Sequence, residues 1–243
     1  MQELVKNPLK HESIDAETVK FEKVNTHIYQ DSESASWYVA NEIAGLIKQK
    51  QEQGKKAVLG LATGSTPTKV YDYLVQFYKE GRLSFKNVVT FNLDEYFPMD
   101  PSSIHSYKRF MNEHLFDHID IEPYNIHIPD GSLSKDDVRK YCADYEEKIQ
   151  NVGGIDIQIL GIGRTGHIGF NEPGSSLNSK TRLVRLDRVT RLDAASDFFG
   201  EENVPKRAIT MGTAPIMGAN NITLRSWGGG STSLHHPTIN ETS

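Results

Sequence analysis

Cysteine is nearly absent from this chain: among 243 residues there is one, Cys142. A single thiol excludes an intramolecular disulfide and any cluster of thiolate metal ligands. Its surroundings, "VRKYCADYEEKI", have helical character, which makes it a buried or half-buried bystander. No stretch approaches the roughly 18 apolar residues of a membrane helix. The opening "MQELVKNPLKHESIDAETVKFEKV" lacks the apolar core of an export signal, so a cytoplasmic protein with no membrane attachment is expected. An excess of basic residues is lacking too. The formal net charge is -5, which leaves no surplus to neutralise a phosphate backbone and argues against a nucleic-acid partner. What is present, 37% hydrophobic and 24% charged residues, is ordinary for one sizeable α/β domain.

Apolar segments alternate in type along the chain. "SESASWYVANEIAGLIKQKQEQGK" places Trp37, Val39, Ala40, Ile43, Leu46 and Ile47 on one helical face, with Gly54 as a stop. "KAVLGLA" is a compact strand, and "TGSTPTKVYDYLVQFYKEG" reads as a loop and a helix ending at Gly81. "NVVTFN" is a second strand, with "LDEYFPMDPSS" after it as a connection. A helix from about Ile104 to Phe116, a strand near "NIHIPDG" and a charged helix from Ser134 to Gln150 come next. "IDIQIL" is a further buried strand; "TRLVRLDRV" is a strand or an extended arm. "RAITMGTAPIMGANNITLRSW" reads as strand, helical turn and strand. This alternation predicts a doubly wound, mostly parallel sheet with helices on both faces. The expected organisation is an extension over 1–30 with a short helix, a domain over 31–228 and a disordered tail over 229–243.

In such a sheet, ligands bind beyond the carboxyl ends of the strands. Three polar stretches fall there. In "ATGSTP", Thr63, Gly64, Ser65 and Thr66 precede a helix with Pro67 in its first turn, a setting suited to an anion such as phosphate. An ordinary helix cap with no ligand explains the same residues equally well. In "NLDEY", Asp94 and Glu95 follow a strand, flanked by Phe91, Tyr96 and Phe97. A shielded carboxylate there suits a general base, and a turn aspartate is the plainer alternative. Adjacent acids on an extended chain point opposite ways, so at most one faces the site. The third stretch, "GRTGHIGFNEP", offers His167 as an acid–base group with Glu172 to orient it.

That last stretch also carries a decoy. Gly161, Gly163 and Gly166 are spaced as in a dinucleotide-binding loop, and Asp187 lies about 20 residues on, as that fingerprint requires. Yet the third glycine should open a helix, and Gly169, Asn171, Pro173 and Gly174 prevent one. His114 and His118 are likewise four apart, but no interior glutamate or third ligand accompanies them, so metal binding is not expected.

Taken together, "LGLATGSTP", "VVTFNLDEY", "GIGRTGHIGFNEPGSS" and "TRLVRL" closely resemble the glucosamine-6-phosphate deaminase family, also called glucosamine-6-phosphate isomerases, from about Ala35 to Gly228. The 6-phosphogluconolactonases share the general fold, but "NLDEY" and "GHIGFNEP" resemble the deaminase side. The resemblance implies a modified Rossmann-like fold and the conversion of glucosamine 6-phosphate and water to fructose 6-phosphate and ammonia. It makes Asp94 the base that moves the C2 proton and His167, assisted by Glu172, the group that opens the sugar ring. The substrate-binding set it implies is Thr63, Gly64, Ser65, Thr66, Glu95, Gly166 and Arg182. No metal or organic cofactor is implied, and a homo-oligomer is expected.

Three departures stand out against the family pattern. Thr165 occupies a position where the family often has an aspartate, two residues before the histidine. Asp197, in "ASDFF", stands where an arginine usually binds the substrate phosphate; Arg182, Arg185 and Arg207 are candidate substitutes. The likeness stops near Trp227, before the family's phosphate lysine, and "GGSTSLHHPTINETS" follows. The family's C-terminus is therefore expected to be missing. Two rival readings follow from these departures and from the shared fold: a weak or inactive sugar-phosphate-binding protein, and a lactonase-like hydrolase.

Overall fold

The computed structural model describes residues 27–225. The short helix expected in the N-terminal extension and the tail expected over 229–243 lie outside the described residues. Helix α1 (Ser32–Glu52) starts at Asp31, whose side chain accepts a hydrogen bond from the Ser34 N–H at 2.7 Å. Val39, Ala40, Ile43 and Ile47 are buried as their spacing predicts, while Trp37 and Leu46 are only partly so. Gly54, with φ +65°, follows the last turn.

Strand β1 (Ala57–Leu61) leads into α2 (Ser65–Lys79), and β2 (Val88–Asn92) is followed after one residue by β3 (Asp94–Phe97). Then come α3 (Tyr107–His114), β4 (Ile126–His127), α4 (Val138–Asn151) and β5 (Ile157–Gly161). The described chain closes with β6 (Arg182–Arg185), α5 (Arg188–Ala194), β7 (Arg207–Thr210), α6 (Thr213–Met217) and β8 (Asn221–Arg225).

Five strands form a parallel sheet in the order β4-β2-β1-β5-β8. Side chains alternate between its faces. Ala57, Leu59 and Leu61 join Ile43 and Ile47 of α1 and Val70 and Leu74 of α2. Val58, Phe91 and Leu160 point the other way, onto Tyr145 and Ile149 of α4 and Ile216 of α6. Burial on both faces is why these strands read as unbroken apolar runs. Truncating one of the fully buried leucines or isoleucines to alanine costs about 2–5 kcal/mol. This is the doubly wound arrangement expected from the sequence, and β1 and β5 flank its switch point.

The structure corrects the sequence reading in four places. "DEYF" is strand β3 rather than part of a connection, and it pairs with β7 in a second, antiparallel sheet of order β3-β7-β6. Its partner lies far downstream and no turn signal separates it from β2, so local pattern could not reveal it. "TRLVRLDRV" is neither one strand nor an arm: it divides into β6 and α5 where Asp187 caps the helix by accepting from the Val189 N–H. Helix α3 starts at Tyr107, not Ile104, because Ser106 caps it, and a separate 3-10 turn covers Phe116–His118. Helix α4 starts at Val138, not Ser134.

Candidate active site

β1 delivers the first loop. Gly64 occupies the N-cap of α2 with φ +101° and has no side chain to satisfy the first-turn N–H groups; no side-chain cap replaces it. The one local hydroxyl contact runs the other way, from Thr68 Oγ1 to the Gly64 carbonyl at 3.0 Å. Thr63 is half-buried, while Gly64 and Ser65 are exposed. A 15-residue helix thus presents uncapped N–H groups to solvent at its positive end. That weighs against the plain-cap explanation and for an anion.

β3 sorts the two acids. Asp94 lies in register with Thr210, and the loop after β5 crosses directly over it. A Cβ on Gly169, which has φ +56°, would sit 3.1 Å from Asp94 Oδ2 and 3.2 Å from Thr210 Oγ1. The next N–H, of Phe170, donates to Thr210 Oγ1 at 3.1 Å and also favours the ionised Asp94. Burial dominates that modest help: the Asp94 carboxyl is pushed up to about 8, first by desolvation and then by the neighbouring Glu95 charge. A carboxyl so placed changes charge near neutral pH, where a general base works best.

Glu95 points away, as the alternation of an extended strand requires. Its Oε1 accepts from the N–H groups of Tyr96 (2.9 Å) and Tyr107 (3.1 Å), and its Oε2 from the Ser106 hydroxyl (2.9 Å) and the Lys108 N–H (3.1 Å). With both oxygens so engaged, Glu95 anchors the N-terminus of α3. That engagement weighs against the substrate-binding role that the resemblance implies for it.

The loop after β5 brings His167, Thr165 and Glu172 together. His167 Nδ1 lies 2.9 Å from Thr165 Oγ1, and that hydroxyl donates to Glu172 Oε2 at 3.5 Å; the direct Nδ1 to Oε2 distance is 3.6 Å. An Nδ1–H donating to Thr165, and Thr165 to Glu172, leaves Nε2 as the basic nitrogen. The other Glu172 oxygen accepts from Thr190 Oγ1 at 2.5 Å and the Asp187 N–H at 3.3 Å, so α5 holds the carboxylate in place. Gly163 is needed for space. A Cβ there would come within 2.1 Å of His167 Nε2 and 2.2 Å of Cε1. We expect Gly163→Ala to displace the imidazole and lower turnover about 10²-fold or more with little change in melting temperature. Turnover measured beside a thermal melt checks this.

The remaining expected residues separate. Gly166 turns the loop with φ +83°. Arg182 stands in register with Thr210 and thus two strands from Asp94, but its guanidinium donates to Asn171 Oδ1 (2.9 Å), Ser175 Oγ (3.2 Å) and the Lys180 carbonyl (3.3 Å). Arg185 and Arg207 stand in register with each other at the opposite end of the small sheet from Arg182 and Thr210. Asp197 is exposed, and its charge is felt at Tyr96. His118 Nε2 contacts the Glu113 carbonyl, and no group of metal-ligating side chains occurs among the described residues. Cys142 is buried in α4, as expected. No helix among the described residues is long and apolar enough to cross a membrane. Sequence reasoning missed Thr190 and Thr210. Neither carries a local signal, because each makes its contact across the fold.

Comparison with known proteins gives the same direction. A family profile described as glucosamine-6-phosphate isomerases/6-phosphogluconolactonase matches residues 30–234. Glucosamine-6-phosphate deaminase 2 of Bacillus subtilis is 49% identical over 176 residues, covering 72% of this chain and 70% of that protein. A glucosamine-6-phosphate deaminase-like protein of Bacteroides thetaiotaomicron is 46% identical over 209 residues, 86% of this chain but 32% of that longer protein. A solved structure described as a monomeric glucosamine-6-phosphate deaminase superposes with a TM-score of 0.76 at 43% identity, covering 81% of this chain and 79% of the other. With this fold, these loops and this level of identity, the chain belongs to the glucosamine-6-phosphate deaminase family.

Proposed function

We propose that this chain converts glucosamine 6-phosphate and water to fructose 6-phosphate and ammonia. The observation that carries the reading is Asp94: a buried carboxyl that changes charge near neutral pH, overlain by the loop of His167 and Glu172. The phosphate sits at the N-terminus of α2, on the hydroxyls and N–H groups of Thr63, Gly64, Ser65 and Thr66. His167 moves a proton on the ring oxygen to open the pyranose, with Thr165 and Glu172 holding its Nδ1–H. Asp94 then takes the C2 proton during enolisation. Identity of 43–49% to proteins described as deaminases supports this chemistry over lactone hydrolysis. The residues of the proposed site all belong to one chain, and the solved relative is described as monomeric, so the reading does not need a homo-oligomer.

A paired assay for ammonia and fructose 6-phosphate tests the proposal. Ammonia release in step with the ketose supports it; hydrolysis of 6-phosphogluconolactone without ammonia would replace it. Asp197 supports a second reading, of weak phosphate binding. A charge-assisted hydrogen bond contributes about 1.5–3 kcal/mol, so a site with Asp197 in place of one cation should bind roughly 10- to 150-fold more weakly. Calorimetry should show glucosamine 6-phosphate preferred over glucosamine, but modestly. No preference at all would remove the anion role of the α2 terminus, and tight binding would require another cation.

A further inference from the structure

Thr210 is the last residue of β7, fully buried, and no local pattern marks it for function. It stands in register between two charged neighbours, Asp94 on β3 and Arg182 on β6. Cross-strand partners share a face of a sheet, so the hydroxyl lies beside the Asp94 carboxyl. The loop that carries His167 closes over both. A Cβ on Gly169 would sit 3.1 Å from Asp94 Oδ2 and 3.2 Å from Thr210 Oγ1, so one point on the loop is within contact of both groups.

The loop is fastened there twice. The Phe170 N–H donates to Thr210 Oγ1 at 3.1 Å, and the Asn171 side-chain amide donates to the Met211 carbonyl at 2.8 Å. The Met211 N–H in turn donates to the Leu93 carbonyl at 2.7 Å, one residue before Asp94. The end of β7 is thus the junction on which the strand of the base and the histidine loop both hang. The Thr210 hydroxyl gives its own hydrogen to the Met211 carbonyl at 3.3 Å, which leaves its oxygen lone pairs for the Phe170 N–H. That assignment matters, because the same buried donor, given to the ionised carboxylate, would make Asp94 a weaker base. Among the influences on Asp94 the Phe170 N–H comes last, behind burial and the Glu95 charge, as befits a donor engaged elsewhere.

We propose that Thr210 is a positioning residue that holds the histidine loop over Asp94 and takes the Phe170 N–H, keeping most of that donor from the carboxylate. This deepens the deaminase reading and rests on it. The base retains its strength, and the loop keeps a fixed height above it. Both bear on enolisation. Proton abstraction improves with the strength of the base, and misplacing a reacting group by about 1 Å costs about 10²-fold in rate.

The test compares Thr210→Val with Thr210→Ser on the full chain, read as kcat, KM and the pH profile for glucosamine 6-phosphate. Valine keeps the shape but has no acceptor, and serine restores the oxygen. A thermal melt verifies folding; Thr210→Ala removes the same acceptor if the valine variant does not fold. We expect Thr210→Val to lower kcat roughly 10-fold with KM changed less than about 3-fold. The acid limb should move down by about one pH unit as the Phe170 N–H passes to Asp94. Serine should restore both. The other groups around Asp94 are the same in every variant: Glu95 and Tyr96 of β3, Tyr107 of α3, Tyr145 of α4, Arg182 of β6, and His167 and Glu172 of the loop. A limb that stays in place, or a serine variant no better than valine, would overturn the proposal. If the parent releases no ammonia, the deaminase reading falls by itself. Thr210 is then tested through stability alone: the advantage that Asp94→Asn gains as pH rises should level off about one pH unit lower in the Thr210→Val background. Levelling at the same pH in both backgrounds would overturn it.

Discussion

We expect Asp94→Asn to abolish ammonia release and solvent-deuterium exchange at C2, and at the same time to make the protein more stable at alkaline pH. Both effects come from one cause. The amide keeps the shape of the side chain but cannot take a proton, so enolisation stops while sugar-phosphate binding is retained. The stability effect follows from linkage. The folded carboxyl is pushed up to about 8, from the 3.8 of an exposed aspartate. Between those values the folded state holds a proton that the unfolded state has lost, so the parent loses stability as pH rises through that window. Within that window each pH unit corresponds to about 1.4 kcal/mol. Asparagine is neutral throughout and escapes this loss. Its advantage in melting temperature should therefore be small near pH 4, grow toward pH 8 and level off above. Activity of the parent should run the other way, with kcat/KM rising with pH toward 8 as the base ionises. C2 exchange at the parental rate in the variant would remove Asp94 as the base, and a pH-independent stability difference would contradict its burial as an acid.

The second large effect concerns ring opening. His167→Gln should slow turnover of the cyclic substrate by roughly 10²-fold or more, the loss typical of one positioned acid–base group. An open-chain analogue should be affected far less, because the histidine acts before enolisation. Equal losses on both substrates would identify a structural histidine. The Thr165 hydroxyl between imidazole and Glu172 adds a gain-of-function counterpart. Thr165 is 2.9 Å from Nδ1, whereas Glu172 is 3.6 Å away, so a neutral group mediates the contact with the carboxylate. Thr165→Asp would place a charge directly on Nδ1, favour the imidazolium and raise the apparent pKa of the step that His167 serves. A shift of that limb to higher pH, with turnover of cyclic substrate equal to or above the parent's, is expected. An unchanged profile would show that Thr165 does not set the state of the imidazole.

Much of this was legible because the signals are local. Apolar runs bounded by Gly54, Gly64 and Gly81 mark the strands and helices of the parallel sheet, since each boundary is a backbone requirement that nearby residues meet alone. The three polar stretches follow strand ends, and the strand ends of a parallel sheet converge, so Thr63 to Thr66, Asp94 and His167 could be placed at one edge before any coordinates. The failed dinucleotide fingerprint was legible for the same reason: a loop with Pro173 and repeated glycines cannot open a helix.

What the tertiary structure decided is everything that depends on a partner distant in the chain. Strand β3 exists because β7 pairs with it, and no pattern within "DEYF" specifies that pairing. The sequence left two adjacent acids as candidates; the fold places Asp94 opposite Thr210, and the N-terminus of α3 holds Glu95. Whether the α2 terminus is capped, how closely Gly169 approaches a carboxylate, and which hydroxyl meets the imidazole are likewise outcomes of packing. Periodicity and turn chemistry act over a few residues and determined the elements and their order. Burial, close approach and charge balance act across the folded chain, and they alone determined the surroundings of each candidate group.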